Sequence, residues 1–422
     1  MNKENAQDNV DNIVYDLNSL YSAFLAAKKD SDWKPQVQKY EIDFLPNIVS
    51  TKDLLKNREY HSKPSSEFII NERGKVRPIT GLQMSDRVIR HSLCDNVLSP
   101  SLIDYLIYDN GASLKGKGID FSRKRFEEHL HKYYRMYGND GYILLMDYSK
   151  FYDNIPHDIA YREIAKHVND EFSLWLLQQI FDNFKIDVSY MNDEEFSNCM
   201  NVPFNSTEYR LKIPKSAHTG EKYMRKSVNI GDQCSQIIGI FYPTPVDNFV
   251  KIVKSQKFYG RYMDDSYVIH RDREFLVRLE IEIAEKAKEL GMTLNRKKTR
   301  IVKLSDYYKF LQITYSLTDT GRVIRKINPR RIVDMRRKLK KLSLKVIRGE
   351  RTQEEVENMF RAWMGGHAHL MSKIQRDNLN LLYFDLFGGF IDGKYYLQYY
   401  PRRQNRDSRH NEWKQLYNRR CG

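Results

Sequence analysis

Cysteine is scarce in this sequence, and its spacing fits none of the patterns in which cysteines build a structural site. The chain has 422 residues and four cysteines, with no C-x-x-C pair. Neither a disulfide framework nor a zinc ribbon is therefore expected. The segment His367–His369 (HAH) offers half of a metal site but has no cysteine or further histidine nearby. A helix end or a loop is the alternative interpretation of that segment.

Long apolar runs, internal repeats and low-complexity tracts are also missing. No apolar run approaches the length of about 18–20 residues that crosses a membrane. The first residues, MNKENAQDNVDN, lack the apolar core of a signal peptide. We therefore expect no membrane partner and a cytoplasmic location.

Positive charge is in excess. Lysine and arginine number 70 against 55 acidic residues, which gives a formal net charge of +15. Such an excess predicts a polyanionic partner, and without membrane signals nucleic acid is favoured over an anionic lipid surface. Hydrophobic residues make up 41% of the chain, enough for a real core, and the length predicts two or three domains.

A pair of carboxylates stands between two strand-like runs in FYGRYMDDSYVIH (258–270). Asp264 and Asp265 are adjacent like charges, which raise each other's pKa and destabilise the fold unless positive charge offsets them. A solvated turn at the tip of an ordinary hairpin is one interpretation. A bound divalent cation is the other, because it neutralises the pair.

A third carboxylate follows a second strand. In GYILLMDYSKFYDNIPH (141–157), a continuous apolar run predicts a buried central strand that ends at Asp147. Three carboxylates at the ends of two adjacent strands provide the oxygen ligands that Mg²⁺ prefers. Two such ions, about 3.5–4 Å apart, serve phosphoryl transfer by stabilising both the attacking and the leaving oxygen. Two Mg²⁺ ions are therefore expected, with Mn²⁺ as an alternative.

Local patterns predict the surrounding elements. In chain order, they indicate a helix over 14–24, a hairpin over 66–80, and a helix within 84–106 that stops near Ser99 and Pro100. A surface insertion over about 185–226 follows, and then a helix over 272–291 that Asp272 can cap. Two helices are expected after 328, the second of which begins with a capping-box pattern at Thr352. A shift in composition predicts a domain boundary near 318–328.

The stretches RYMDD (261–265) and LLMDYSKFYD (144–153) resemble the palm motifs of reverse transcriptases. Further motifs of that family stand in the family's order: GKVRPI (74–79), SLKGKGID (113–120), NIGDQCSQIIGIFYPTPVDNFV (229–250), LGMTLNRKKTRIV (290–302) and YYKFLQITYS (307–316). In the last of these, Gln312 replaces the glycine of the family's Phe-Leu-Gly. The resemblance spans roughly residues 65–370.

The resemblance implies an α+β fold shaped like a right hand. Its palm would be an antiparallel sheet with helices on one face and an RRM/ferredoxin-like core, beside fingers and an α-helical thumb. The implied domains are an N-terminal helical extension (1–65), fingers (66–140), palm (141–318, with the insertion at about 185–226), helical thumb (319–390) and a basic-aromatic tail (391–422).

The resemblance also implies the catalytic residues. Asp147, Asp264 and Asp265 would bind the metal ions together with the backbone carbonyl of Tyr148. Lys298 corresponds to a candidate general acid that protonates the pyrophosphate leaving group. The neighbouring Arg296 and Lys297 leave that role open, and a solvated basic face is the alternative.

Nucleotide binding maps onto four positions. Lys75 and Arg77 would hold the triphosphate, and Gln236 belongs to the motif that supports template and nucleotide. Tyr152 corresponds to the aromatic residue that crowds the sugar 2′ position and so favours dNTPs. An ordinary core aromatic is the alternative role for Tyr152, although Phe151 could already fill that role.

Nucleic-acid contacts are expected in the fingers, thumb and tail. Lys115 and Lys117 lie in the motif that tracks the template. Basic thumb residues would grip the backbone: Arg330, Arg331, Arg336, Arg337, Lys340 and Lys341. Aromatic and arginine residues of the tail suit stacking on unpaired bases, with a disordered solubilising end as the alternative.

The motif around Gly231 indicates the subgroup. Ile230 precedes the glycine and the motif ends in Ser235 and Gln236, a pattern similar to diversity-generating retroelement enzymes and to bacterial defence-associated reverse transcriptases. The expected partners are an RNA template, in the defence case a cognate structured non-coding RNA, with dNTPs and a DNA product. Diversification with an accessory protein, template-independent or protein-primed synthesis, and a catalytically idle scaffold are alternatives. Homo-oligomerisation is left open.

Overall fold

The structure is a computed structural model that describes residues 13–72, 75–201, 203–206 and 213–389. The predicted basic-aromatic tail (391–422) lies outside these residues, as does most of the strand-like fragment TEYRLKIP (207–214). No helix in the described ranges is long and apolar enough to cross a membrane.

The chain divides into two compact units, one up to Leu304 and one from Ser305 onward. The first contains helices α1 (Leu17–Lys28), α2 (Pro35–Ile42), α3 (Phe44–Lys56), α4 (Met84–Leu93), α5 (Ser99–Leu102), α6 (Ile119–Tyr137), α7 (His157–Ala165), α8 (Glu171–Phe184), α9 (Asp193–Asn201), α10 (Gln233–Phe241), α11 (Thr244–Asn248) and α12 (Arg273–Glu289). Its strands are β1 (Ser66–Glu72), β2 (Lys75–Gly81), β3 (Tyr142–Met146), β4 (Ile186–Asp187), β5 (Tyr223–Met224), β6 (Tyr259–Tyr262), β7 (Asp265–His270) and β8 (Arg300–Lys303). The predicted boundaries of fingers, palm and thumb stay predictions.

The central sheet of the first unit is antiparallel, with strand order β6-β7-β3-β8. Its middle strand β3 is the predicted apolar run, and Ile143 to Met146 are all buried. Both neighbours of β3 come from later in the chain, so the sheet forms only when β7 and β8 pack back onto it. The predicted α+β fold class is confirmed.

Helices contact both faces of this sheet, whereas the family resemblance implies helices on one face. On one face, Phe275 of α12 packs against His270 with ring centroids 4.2 Å apart. On the other, Phe126 of α6 meets Tyr267 of β7 at 4.7 Å. Side chains alternate along a strand, so His270 and Tyr267 project from opposite faces. The ring of Tyr267 needs an apolar cover, and α6 supplies it.

Two predicted helix features differ in their outcome. Helix α12 begins after Asp272, whose side chain accepts a hydrogen bond from the Glu274 amide at 2.8 Å, as predicted. The predicted stop near Ser99 and Pro100 is wrong. The segment Cys94–Leu98 forms a π-helical turn, which is wider than an α-helical turn, and the Ser99 amide donates a hydrogen bond to the Cys94 carbonyl. Pro100 then falls in the first turn of α5, where its missing N–H costs nothing.

The remaining predicted elements of the first unit are present. Strands β1 and β2 pair as an antiparallel hairpin from Ser66 with Gly81 to Glu72 with Lys75. The polar stretch near 185–226 contains β4, β5 and α9. It has a small apolar cluster of its own, built from Ile186, Val188, Met191, Phe204 and Met224.

The described residues of the second unit, 305–389, combine a three-stranded sheet with three α-helices. Its strands are β9 (Tyr308–Phe310), β10 (Ile313–Leu317) and β11 (Val323–Ile327), in the order β11-β10-β9. Its helices are α13 (Pro329–Ile347), α14 (Gln353–His367) and α15 (Lys373–Phe387). The predicted capping box at the start of α14 is confirmed, because Thr352 and Glu355 bond each other's backbone amides.

Candidate active site

The register of the central sheet brings the predicted carboxylates to one edge. Met146 of β3 is paired with Ser266 of β7, so Asp147 and Asp265 each stand one residue further, at adjacent strand ends. Tyr262 pairs with Asp265 and closes the hairpin around Met263 and Asp264. Met263 has a φ of +54°, a left-handed conformation that makes the turn tight.

Asp147 is held by a segment that lies almost 150 residues later. The Asn295 amide donates to the Asp147 carbonyl at 2.7 Å, and the Asn295 side chain donates to Oδ1 at 3.3 Å. Lys298 Nζ lies 2.6 Å from Oδ2. Asp147 is only 6% exposed, so these contacts satisfy a carboxylate that water barely reaches. The role of Asn295 was missed because a single asparagine beside a basic run carries no local signal.

Lys298 is the cation that contacts Asp147. Burial disfavours its charged form, but the hydrogen bond to Asp147 and the charges of Asp147, Asp264 and Asp265 outweigh that effect and raise the pKa of the ammonium group. Asp147 contacts Lys298 directly, and Asp264 and Asp265 lie close enough for their charges to influence it. Oxygen donors converging around a cation are the chemistry that Mg²⁺ or Mn²⁺ requires.

The three carboxylates are not arranged as a finished metal site. Within the described ranges, no group of three or more His, Cys, Asp or Glu side chains is placed to hold an ion. Lys298 occupies one oxygen of Asp147, and an ion bound there would have to displace it. The three carboxylates offer oxygen donors at one edge of the sheet, which suits a divalent cation. Their metal-binding role stays a prediction. Tyr148, whose carbonyl is the fourth predicted ligand, is buried.

Tyr152 lies between the carboxylate turn and helix α10. Its hydroxyl contacts Met263 Sδ at 3.7 Å, and burial together with the charge of Asp264 raises the pKa of this hydroxyl. The ring also approaches Gly239 of α10. Gln236 lies on the same helix and is exposed. The structure thus brings Tyr152 to the carboxylates, as its predicted role in sugar selection requires.

A buried arginine of β6, which the sequence did not predict as a site residue, supports the turn between β6 and β7. Arg261 and Asp247 form a fully buried ion pair at 2.7 Å. The same guanidinium donates to the Met263 carbonyl at 3.1 Å and to the Ile240 carbonyl at 2.7 Å. It therefore ties the turn that carries the carboxylates to the end of α10. An arginine inside the apolar stretch FYGRYM was the available signal.

A second buried pair fixes the start of α10. Asp232 caps this helix, and Arg90 of α4 contacts its Oδ2 at 2.6 Å. Arg90 also donates to Asn183 at 2.7 Å. The two residues lie 142 positions apart, so no local sequence pattern indicates the pair.

The predicted fingers residues are placed as follows. Arg77 lies on β2 opposite Ile70 and is half-buried, and Lys75 begins the same strand. Lys115 is exposed. Lys117 donates instead to the carbonyls of Tyr108 at 2.8 Å and Asn110 at 3.1 Å, and burial lowers its pKa. Lys117 therefore has a structural role in this loop, and its contact with a template stays a prediction.

The predicted thumb cations lie on α13. Arg330, Arg336, Arg337, Lys340 and Lys341 are exposed, as backbone contacts require. Arg331 already makes contacts within the protein, because it donates a hydrogen bond to the Gln312 side chain and lies 2.8 Å from His367 Nε2. His367 ends α14 and bonds the Trp363 carbonyl, which confirms the helix-end interpretation of the HAH segment.

Residues 62–315 match the family described as reverse transcriptase (RNA-dependent DNA polymerase). This match covers more than half of the chain, and the chain therefore belongs to the reverse transcriptase family. No curated protein matches it in sequence. Among solved structures, the chain is similar to the telomerase of Candida albicans in complex with a fragment of telomeric RNA, at 14% identity and a TM-score of 0.40. That match covers 65% of this chain and 46% of the telomerase chain, and no functional inference follows from it.

Proposed function

We propose that this reverse transcriptase is an active RNA-directed DNA polymerase that copies a cognate structured non-coding RNA in bacterial anti-phage defence. The observation that carries the enzymatic part is the placement of Asp147 and Asp265 at adjacent ends of β3 and β7, with Asp264 in the turn beside them, in a chain of this family. An idle scaffold would have no need to keep three carboxylates together against their mutual repulsion.

Each site residue has a proposed role in metal binding, proton transfer or nucleotide binding. Asp147, Asp264 and Asp265 would hold two Mg²⁺ ions with the Tyr148 carbonyl. Bound ions would supply positive charge to the attacking and the leaving oxygen of the phosphoryl transfer. Lys298, once displaced from Asp147, would lie near the leaving group, where its ammonium can give up a proton. Lys75, Arg77 and Gln236 would orient the dNTP.

The cellular role rests on sequence features and on charge. Ile230 and the Ser235-Gln236 ending are similar to the defence-associated and diversity-generating groups. Exposed cations along α13 suit a structured RNA or an RNA–DNA hybrid. A diversity-generating enzyme that works with an accessory protein is the second candidate. Template-independent or protein-primed synthesis is the third.

The metal-binding assignment is tested with Asp264→Ala combined with Asp265→Ala. We expect this variant to lose DNA synthesis on a primed RNA template and to bind the template with unchanged affinity. Asp104→Ala, an exposed carboxylate elsewhere on the surface, serves as the control. Undiminished dNTP incorporation by the double variant would refute the assignment.

The cellular role is tested by sequencing the RNA and DNA that co-purify with the protein from its host. A structured RNA encoded beside the gene, with DNA complementary to it, supports defence. A template repeat with a mutated DNA copy supports diversification instead. DNA that is complementary to no co-purified RNA supports template-independent synthesis.

A further inference from the structure

Helix α10 approaches the ring of Tyr152 at a glycine. A Cβ atom added to Gly239 would lie 2.8 Å from the Tyr152 hydroxyl and 3.1 Å from Cζ. Side-chain carbons in proteins do not approach this closely, so the ring occupies the space that any larger residue at 239 would fill.

The backbone does not explain why position 239 is glycine. Gly239 lies within α10 and has no left-handed φ. A glycine in a helix interior destabilises it by roughly 0.5–1 kcal/mol relative to alanine. Since this cost brings no conformational benefit here, the close contact with Tyr152 is the physical reason for the glycine.

We propose that Gly239 is a specificity-determining residue that sets the position of the Tyr152 ring, and through it the space for the sugar of the incoming nucleotide. This inference rests on the proposed role of Tyr152 in excluding ribonucleotides. Gly239 does not touch the substrate and acts through Tyr152.

The surroundings of the ring decide in which direction it can move. The Tyr152 carbonyl accepts from the Val228 amide at 2.9 Å, which fixes the base of the side chain. The ring centroids of Phe151 and Tyr152 lie 5.5 Å apart in an edge-to-face arrangement. A methyl group on α10 would displace the hydroxyl end of the Tyr152 ring, which also contacts Met263 of the carboxylate turn. The nucleotide is expected beside this turn, so the displacement alters the space for its sugar.

The experiment measures kcat and KM for a dNTP and its matching rNTP on a primed RNA template. We expect Gly239→Ala to raise KM for the dNTP about five- to tenfold, the lower end of what overpacking typically costs. Turnover at saturating dNTP should change less than KM, and rNTP use should stay low. Adding Tyr152→Phe removes the hydroxyl nearest to the new methyl group. The Gly239→Ala, Tyr152→Phe double variant should therefore regain the KM of Tyr152→Phe alone.

Gly260→Ala is the matched control. Its added Cβ would lie 2.8 Å from the hydroxyl of Tyr267, a buried tyrosine of β7. This variant should lower the melting temperature without changing KM. If Gly239→Ala behaves in the same way, or if Tyr152→Phe fails to restore KM, Gly239 has only a packing role and the inference is overturned.

Tyr152→Ala separates this inference from the proposed function. If that variant admits ribonucleotides while Gly239→Ala leaves KM and nucleotide preference unchanged, only the inference about Gly239 fails. If Tyr152→Ala keeps full discrimination against ribonucleotides, the role of Tyr152 fails and the inference about Gly239 falls with it.

Discussion

Lys298 places a positive charge where the proposed metal ions would bind. Its ammonium lies 2.6 Å from Asp147 and is influenced by Asp264 and Asp265. The side chain is half exposed, so it can leave Asp147 without breaking buried packing. The same residue can therefore neutralise Asp147, and in the proposed mechanism it would act on the leaving group once metal ions are bound.

Lys298→Ala should reduce the rate of single-nucleotide addition by about 10²-fold or more, the range typical of a lost general acid. Lys297→Ala is the control, because Lys297 is an exposed neighbour. Rapid-quench measurements at saturating dNTP give the rate of addition for each. Equal losses in the two variants would favour a solvated basic face over a specific role for Lys298.

Gln312 shows how a residue outside the family pattern is accommodated. It has a φ of +72° where the family has glycine, a conformation that costs non-glycine residues about 1–2 kcal/mol. Its side chain accepts a hydrogen bond from Arg331, and this bond stabilises the folded state by a similar free energy. The bond to a charged partner thus offsets the strain.

Two substitutions separate these contributions. Gln312→Ala keeps the strained backbone and loses the bond, so it should lower the free energy of unfolding by about 1–3 kcal/mol. Gln312→Gly loses the bond but relieves the strain, and it should be more stable than Gln312→Ala by about 1 kcal/mol. Urea denaturation measures both. Equal stability of the two variants would show that the backbone at 312 is unstrained.

At the scale of elements, the turn that carries Asp264 depends on the buried ion pair between Arg261 of β6 and Asp247. Arg261 and Asp247 are both fully buried, and Arg261 reaches the carbonyls of Met263 and Ile240. Removing one partner of such a pair leaves an uncompensated charge in the core. The hairpin and α10 would then lose their common anchor.

Arg261→Met should lower the free energy of unfolding by about 3–5 kcal/mol. Adding Asp247→Leu removes the stranded charge and should recover part of that stability, but not the anchoring of the Met263 carbonyl. We therefore expect the double variant to fold and still to synthesise DNA more slowly than the wild type. Thermal melts and primer extension test this. Full recovery of activity would show that the turn needs no support from Arg261.

At the scale of the whole molecule, buried histidines make stability depend on pH. Burial lowers the pKa of His157 to about 4 from an ordinary value of 6.5, while its Nε2 bonds the Ser227 carbonyl at 2.5 Å. The unfolded chain takes up a proton as pH falls through 6.5, and the folded chain does so only near pH 4. The unfolded state therefore binds more protons across this interval, and stability decreases as the pH is lowered.

The wild type should lose up to about 3 kcal/mol of stability through His157 between pH 6.5 and 4, from about 1.4 kcal/mol per unit of pKa. His157→Gln removes this contribution and should flatten the dependence. His61→Gln, at an exposed position, should leave it unchanged. Unfolding free energies at several pH values test this. Identical slopes in all three proteins would contradict the assignment.

Much of the fold could be predicted because its signals are local. The apolar run of β3, the hairpin β1–β2, the cap at Asp272 and the capping box at Thr352 each lie within a few neighbouring residues. The stop near Pro100 was predicted wrongly because a π-turn, set by packing, moved the proline to a tolerated position.

By itself, the sequence determined the carboxylates, their order and the family to which the chain belongs. Those features are residue types at short spacings, and the chain carries them unfolded as well as folded. Only the tertiary structure decided that Lys298 and Asn295 hold Asp147, that Arg261 supports the turn, and that Gly239 makes room for Tyr152. The contacts of Asp147 and of Gly239 join residues about 87 to 151 positions apart, and those of Arg261 lie in the buried core. The energies of such contacts depend on burial and on distance in space, and no local sequence pattern records burial or distance.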